Sequence, residues 1–98
     1  MARLIWSPRA IADLDAAGDY IAKSSDAYAR AFVRRVFAAA AGLTTQPYLG
    51  AVVPEYELHD LREIQHQSYR ILYRLRGDDV EVVAVIHGAR QLPRTPPG

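Results

Sequence analysis

The chain of 98 residues contains no cysteine, so it forms no disulfide framework and offers no thiolate ligand to a metal. It lacks an apolar run of membrane-spanning length, and its first residues show no signal-peptide core. Its six glycines are isolated, which excludes a glycine-rich phosphate loop, and its three histidines lack HxxxH or HxH spacing. These absences predict a protein of the cytoplasm that binds no metal and no cofactor.

Length and charge further restrict the number of domains and the class of partner. Half of the residues are hydrophobic, which suffices for one domain, residues 1–98, with one modest core. The end of the chain is rich in proline and lacks a pattern, so residues 94–98 are expected to be a disordered tail. The net charge of +1 is too small for a dedicated DNA-binding protein, although the mildly basic segment from Arg62 to Arg94 suits an acidic protein partner or nucleic acid. We expect no sequence-specific DNA binding by this chain.

The N-terminal half predicts one strand and two helices. A short apolar run from Arg3 to Trp6 is followed by Ser7 and Pro8, which are typical of an N-cap and a first helical position. Helical spacing then continues from Pro8 to about Ser24, with a buried stripe formed by Ile11, Leu14, Gly18 and Ile21. After a break at residues 24–26, helical spacing resumes and continues to Leu43. The short break predicts an antiparallel helical hairpin.

Residues 61–90 predict three antiparallel strands. Gly77 and Asp78 form a two-residue turn, since both tolerate the positive φ angles that such a turn needs. The resulting register places on one face Leu75 opposite Val80, Tyr73 opposite Val82, Ile71 opposite Ala84 and Tyr69 opposite Ile86. The other face carries Arg74 opposite Glu81, Leu72 opposite Val83, Arg70 opposite Val85 and Ser68 opposite His87. A second turn at His66 and Gln67 would add Ile64 to the first face and place Glu63 across from Arg70.

The predicted fold class is α+β, with a sheet of four mainly antiparallel strands. The helical hairpin covers the face that carries Tyr69, Ile71 and Tyr73, and residues 46–60 form an irregular connection. No helix remains to cover the opposite face. That face is expected to expose an apolar strip rimmed by Glu63, Arg70, Arg74 and Glu81, and exposed strips of this kind mark interaction sites; its members are Leu61, Leu72, Val83 and Val85.

One group of side chains suggests chemistry. Arg70, His87 and Arg90 lie near one end of the second face in this register, with Glu63 beside them. Metal-free RNA cleavage needs a base, a cation for the charged phosphorane and an acid, and these residue types supply parts of that set. The alternative is structural: Arg70 pairs with Glu63 across the strands, and His87 ends a strand.

The order of elements resembles the RelE/ParE superfamily of toxins from bacterial type II toxin-antitoxin systems over nearly the whole chain. The residues that carry the resemblance are Ser7-Pro8 with Ala-Asp-Leu at 12–14, Pro54-Glu55, Arg62-Glu63, the run 69–74 and the run 85–90. The resemblance implies a small α/β fold and an antitoxin whose C-terminal segment wraps around the toxin. The expected antitoxin-binding residues are those of the second face: Leu61, Glu63, Arg70, Leu72, Arg74, Val83 and Val85.

The superfamily divides by target. RelE-like members cleave messenger RNA on the ribosome with a basic cluster, whereas ParE-like members poison DNA gyrase and lack that cluster. Arg70, His87 and Arg90 match RelE-like positions, but the connection is acidic where lysines would be expected, and no tyrosine follows Tyr73. The resemblance therefore favours the ParE branch, with no catalytic residues and with Arg90 and Arg94 as target contacts. A ribosome-dependent endoribonuclease and a non-toxic protein-interaction module remain the alternatives.

Overall fold

A computed structural model describes residues 2–98 and contains one five-stranded sheet with two helices. Strand β1 spans Leu4–Trp6, and the helices α1 and α2 span Pro8–Ala22 and Asp26–Ala41. A 3-10 turn at Gly42–Thr44 and a short strand β2, Ala51–Val52, precede the three long strands, β3 (Leu61–His66), β4 (Tyr69–Arg76) and β5 (Asp79–His87). The strand order is β1-β5-β4-β3-β2; β1 runs parallel to β5, and the other pairs are antiparallel.

This architecture confirms the predicted α+β class, the N-terminal strand, the helical hairpin and the meander. The sheet has five strands where four were predicted, because two residues of the connection, Ala51 and Val52, pair with Glu63 and Arg62. A two-residue strand is too short to produce an alternating pattern in the sequence. Within the described residues, no helix has the length and apolar character needed to cross a membrane.

Helix α1 begins at the predicted Ser7 cap, and α2 begins at a serine cap within the predicted break, Ser25. The Ser7 hydroxyl accepts a hydrogen bond from the Ala10 amide at 3.0 Å, and the Ser25 hydroxyl accepts one from the Tyr28 amide at 3.1 Å. The buried stripe of α1 differs from the prediction: Ala10, Leu14 and Ala17 face the sheet, whereas Ile11 is 39% exposed. Leu14 is buried as predicted, and two small residues outside the predicted stripe, Ala10 and Ala17, let the helix approach the sheet closely.

The β4–β5 hairpin follows the predicted register only up to a bulge. Leu75 pairs with Val80 and Tyr73 with Val82, as expected, but Leu72 then pairs with Ala84, which leaves Val83 as an extra residue on β5. Side chains alternate along a strand, so the extra residue exchanges the faces beyond it. The prediction for Val85 is therefore wrong: Val85 lies opposite Ile71 on the helix side, while Ala84 and Ile86 turn to the second face.

The turn between β3 and β4 also lies one residue later than predicted. Its central residues are Gln67 and Ser68, with His66 paired to Tyr69 and Gln67 at a φ of 53°. Relative to the prediction, the pairing moves by two residues along β4, so every side chain keeps its face. Ile64 therefore still joins Tyr69 on the helix side.

The two faces of the sheet are both covered. As predicted, the helices pack on the face that carries Ile71, and the rings of Phe32 and Tyr69 lie 5.1 Å apart. The prediction of an open second face is wrong. Leu61, Leu72 and Val83 are at most 1% exposed, in a second cluster to which Tyr56 of the connection and Leu92 contribute; the other buried members are Val53, Ala84 and Ile86.

The C-terminal tail, residues 91–98, forms part of the cover of the second face. The Tyr56 hydroxyl donates to the Pro93 carbonyl oxygen at 2.5 Å. The Arg74 guanidinium donates to the Pro97 carbonyl oxygen at 3.4 Å, and the Arg76 guanidinium donates to that of Gly98 at 2.9 Å. Pro97 is buried. The segment 94–98, predicted to be disordered, thus lies against the sheet.

Candidate functional site

Arg70 is the most constrained charged side chain of the second face. It leaves β4 toward Glu63 of β3 and Glu55 of the connection, and it is 14% exposed. Its Nε and Nη2 atoms donate to the two carboxylate oxygens of Glu63 at 2.5 and 3.0 Å. Its Nη1 and Nη2 atoms donate to those of Glu55 at 2.7 and 2.8 Å. One guanidinium therefore joins two carboxylates, each through two hydrogen bonds.

The positive charge of Arg70 is offset by the negative charges of the two carboxylates that bind it. Its hydrogen bonds with Glu55 and Glu63 raise the pKa of the guanidinium, and the hydrogen bonds from Arg70 lower the pKa of the Glu55 carboxyl. The predicted pairing of Arg70 with Glu63 is present, although Glu63 sits opposite Leu72 and reaches Arg70 diagonally. Glu55 was not among the predicted site residues. In the sequence, Glu55 stands out only as part of the Pro54-Glu55 pair that supports the family resemblance. Its position beside Arg70 depends on the path of the connection, which the sequence pattern does not show.

His87 and Arg90 lie on the other side of the sheet from Arg70. His87 pairs with Tyr69, not with Ser68, and the two rings are 5.2 Å apart and nearly perpendicular. A cleft of about 190 Å³ on this side is lined by Tyr69, His87, Arg90 and Asp13 of α1. The bulge at Val83 causes this separation, because it reverses the facing of every later residue of β5. The structure therefore does not bring the predicted catalytic set together.

The cleft around His87 has a defined geometry. The His87 Nδ1 atom accepts a hydrogen bond from the Ala89 amide at 3.2 Å, and the exposed ring forms no hydrogen bond through Nε2 within residues 2–98. Burial raises the pKa of the Tyr69 hydroxyl, so it stays protonated at neutral pH. On the α1 side, the Asp13 carboxylate accepts a hydrogen bond from the Val85 amide at 3.0 Å. Within residues 2–98, no group of three histidine or carboxylate side chains could hold a metal ion.

The residues predicted to bind an antitoxin are buried or form ion pairs within the protein's own fold. The apolar members, Leu61, Leu72, Val83 and Val85, are at most 4% exposed. Of the charged members, Arg74 lies opposite Glu81 in the register, as predicted, while its guanidinium forms an ion pair with Asp60 at 3.0 Å and Glu81 binds Arg76. A partner reaches Leu61, Leu72 and Val83 only where the tail and the connection have moved aside, whereas Val85 lies beside α1 on the helix side. By contrast, Arg90 and Arg94 are exposed, and neither takes part in an ion pair within the described residues.

The sequence of this chain is similar to those of known proteins. Residues 4–92 match the family described as the ParE toxin of type II toxin-antitoxin system, parDE. The chain belongs to the ParE toxin family. This ParE-family chain is also 34% identical over 91 residues to Toxin RelE2 of Caulobacter vibrioides, a match that covers 92% of the chain and 99% of that protein.

A solved structure has the same fold as this ParE-family chain. It is described as the chromosomal ParDE TA system from P. aeruginosa; the TM-score is 0.74 at 23% identity, with 89% of this chain and 96% of that chain covered. The predicted RelE/ParE resemblance is confirmed. The protein is the toxin of a type II toxin-antitoxin system, a class whose toxins have an antitoxin partner.

Proposed function

We propose that this ParE-family toxin inhibits DNA gyrase by binding it, catalyses no reaction itself, and is neutralised by a cognate antitoxin. The observation that supports this most directly is the state of Arg70. An arginine that stabilises a phosphorane must present its charge to the phosphate, close to a general base and a general acid. Here the Arg70 charge is balanced by Glu55 and Glu63, and His87 lies on the opposite face.

The proposed contact with the target is made by Arg90 and Arg94. Both follow β5, both are exposed, and neither is neutralised by a carboxylate within residues 2–98. Exposed arginines suit the recognition of an acidic protein surface or of the DNA that gyrase holds, since the guanidinium fork binds carboxylates and phosphates. The proposed site of action is the cytoplasm, where gyrase works.

A supercoiling assay with purified gyrase tests the proposal. We expect the wild-type chain to block supercoiling, and the Arg90→Ala, Arg94→Ala double variant to need at least tenfold more protein for the same inhibition. Arg35→Ala is the matched control, because Arg35 is also an exposed arginine, on α2, without an ion pair within residues 2–98. Addition of the cognate antitoxin should restore supercoiling. Undiminished supercoiling at a large excess of wild-type toxin would refute the gyrase target.

The cleft between α1 and β5 supports a second candidate, ribosome-dependent cleavage of messenger RNA. Tyr69, His87 and Arg90 line that cleft, and a histidine with a free Nε2 atom can act as a general acid or base. The test is primer extension on messenger RNA from translating ribosomes. Cleavage that persists in EDTA and is lost in His87→Ala and in Arg90→Ala would establish the enzyme and exclude a purely binding mode of action.

A further inference from the structure

Arg62 of β3 is the only arginine of the strands that forms no ion pair within residues 2–98. The other three lie on β4, and each binds a carboxylate. The Arg62 Nε atom donates to the His59 carbonyl oxygen at 3.1 Å, and its Nη1 atom donates to the Gly50 carbonyl oxygen at 3.0 Å. Its Nη2 atom lies 3.3 Å from His59 Nδ1. These contacts hold the guanidinium in place, and no carboxylate offsets its charge.

The Tyr48 ring lies against this guanidinium. The centroid of the ring is 4.9 Å from the Arg62 Cζ atom and 5.7 Å from the centroid of the His59 ring. A cation is attracted to the face of an aromatic ring, so the contact orients both side chains. Tyr48 is nevertheless 60% exposed, which leaves more than half of its surface open to a ligand. The chain therefore presents an exposed aromatic ring beside a cation that is held in position.

A cavity of about 350 Å³ borders the same tyrosine. Leu75 of β4 and the neighbouring carboxylates Asp78 and Asp79 also line it. The two carboxylates differ, because that of Asp79 is bound by Arg3 at 2.8 Å, whereas Asp78 is exposed and forms no ion pair within the described chain. Tyr48 thus contacts a cation and borders a cavity that carries an unpaired carboxylate.

These three groups match the parts of one nucleotide in a single strand. Its base can stack on the Tyr48 ring, and its phosphate can bind the N–H groups of Arg62 that the protein leaves unused, since a guanidinium has five. Adenine, cytosine and guanine carry an exocyclic amino group that can donate to the Asp78 carboxylate, whereas thymine and uracil carry none. An acidic peptide would also suit Arg62, but Asp78 would repel its carboxylates. In a duplex the faces of the bases are stacked on each other.

We propose that Tyr48, Arg62 and Asp78 form a binding site for single-stranded nucleic acid, which prefers bases with an exocyclic amino group. The site lies beside Asp79 at the start of β5, whereas Arg90 follows the other end of that strand, roughly 25 Å away along the sheet. The inference therefore does not depend on the gyrase target. The three groups distinguish a class of base and not an order of bases, so the binding has no specific sequence.

Fluorescence anisotropy with labelled single-stranded homopolymers at about 50 mM salt tests the site, with circular dichroism to verify folding. We expect the full chain to bind oligodeoxycytidine about tenfold more tightly than oligothymidine. Tyr48→Ala should weaken the binding of both about tenfold, whereas Tyr48→Phe keeps the ring and should bind as the wild type. Tyr20→Ala is the matched control, because Tyr20 is a 67% exposed tyrosine on α1. It should leave binding unchanged.

Asp78→Ala separates recognition of the base from attraction of the phosphate. The variant should bind oligodeoxycytidine and oligothymidine equally, since the acceptor for the amino group is lost. Asp19→Ala, at an exposed aspartate of α1, should keep the preference. Arg62→Gln should make the affinity less dependent on salt, because one phosphate contact is lost. Oligoribocytidine is the third probe: equal affinity assigns the site to both nucleic acids, and tighter binding of one assigns it to that one.

Four results would each overturn the proposal. A wild-type chain that binds none of the homopolymers at its highest soluble concentration has no such site. Unchanged binding by Tyr48→Ala would exclude stacking on this ring, and an unchanged preference in Asp78→Ala would exclude recognition of the amino group. Polyglutamate that binds as tightly as oligodeoxycytidine would indicate a site for acidic peptides instead.

Discussion

At the scale of single residues, the hydroxyl of Tyr73 fixes the start of the connection. It donates to the Pro47 carbonyl oxygen at 2.7 Å and accepts from the Gly50 amide at 2.9 Å, and its side chain is fully buried. Burial raises the pKa of this hydroxyl, which keeps it protonated and able to donate. A Cβ atom on Gly50 would lie 2.6 Å from the same oxygen, so only glycine fits there.

The substitution Tyr73→Phe tests this contact. It leaves the Gly50 amide and the Pro47 carbonyl without their partner in a buried site, and we expect the free energy of unfolding to fall by about 1–3 kcal/mol. Tyr20→Phe is the control, because Tyr20 is 67% exposed. Urea unfolding measures both. Equal stability of the two variants would show that the Tyr73 hydroxyl contributes nothing.

The Glu55 carboxyl predicts a pH dependence. Arg70 lowers its pKa in the folded state, so the pair contributes stability above the ordinary glutamate pKa, and the contribution is lost as the pH falls through the lowered value. We expect the thermal midpoint of the wild type to drop below about pH 4 and Glu55→Gln to show a shallower drop. Glu57→Gln, at an exposed glutamate without an ion pair, should behave as the wild type. Parallel curves for wild type and Glu55→Gln would contradict the argument.

At the scale of elements, the sequence predicts what is local and misses what depends on neighbours. Ser7 and Pro8 start a helix through one hydrogen bond and one fixed φ, and Gly77 makes a turn with a φ of 59°, so both features are visible in a few letters. The bulge at Val83 has no such signal, since it sits in an unbroken apolar run where both faces are buried. Alternation cannot specify a register when both faces are apolar.

The same bulge explains why the candidate site was only partly predictable. The Arg70–Glu63 pair survives, because β3 and β4 keep their relative faces. The predicted group of Arg70, His87 and Arg90 is not present, because one extra residue on β5 turns His87 to the helix side. Glu55 depends on how the connection folds back over β3. That path is set by contacts between distant residues, such as Tyr56 with Pro93, which no local pattern encodes.

The cap of α1 gives the prediction at this scale. Ser7→Ala removes the hydrogen bond to the Ala10 amide, and we expect unfolding to become easier by about 1 kcal/mol. Ser24→Ala is the control, because Ser24 is exposed and caps neither helix. Thermal unfolding with far-ultraviolet circular dichroism measures both. A Ser7→Ala variant as stable as Ser24→Ala would refute the role of the cap.

At the scale of the whole molecule, the sheet is the middle layer of three. The helices form one outer layer, and the connection with the C-terminal tail forms the other. The tail is held by Leu92 and by side-chain hydrogen bonds to the carbonyl oxygens of Pro93, Pro97 and Gly98. A layer with so few apolar anchors is less firmly attached than the helices, and beneath it lies the surface where an antitoxin was expected.

Removal of residues 92–98 tests the contribution of this layer. We expect Leu72 and Val83 to become exposed, a hydrophobic dye to bind, and the free energy of unfolding to fall by roughly 2 kcal/mol, since exposed apolar area costs about 25 cal/mol per Å². Thr95→Ala, at an exposed tail position, should change neither the dye signal nor the unfolding. An unchanged dye signal after the deletion would show that the tail does not cover the sheet.

The placement of β1 has a consequence for synthesis. Its pairing partner is β5, the last strand of the chain, through contacts such as the Val80 amide with the Arg3 carbonyl at 2.9 Å. A nascent polypeptide therefore holds its first strand without a neighbour until β5 has left the ribosome. Translation that stops before β5 yields fragments unable to close the sheet, so such fragments are not expected to fold into the toxin.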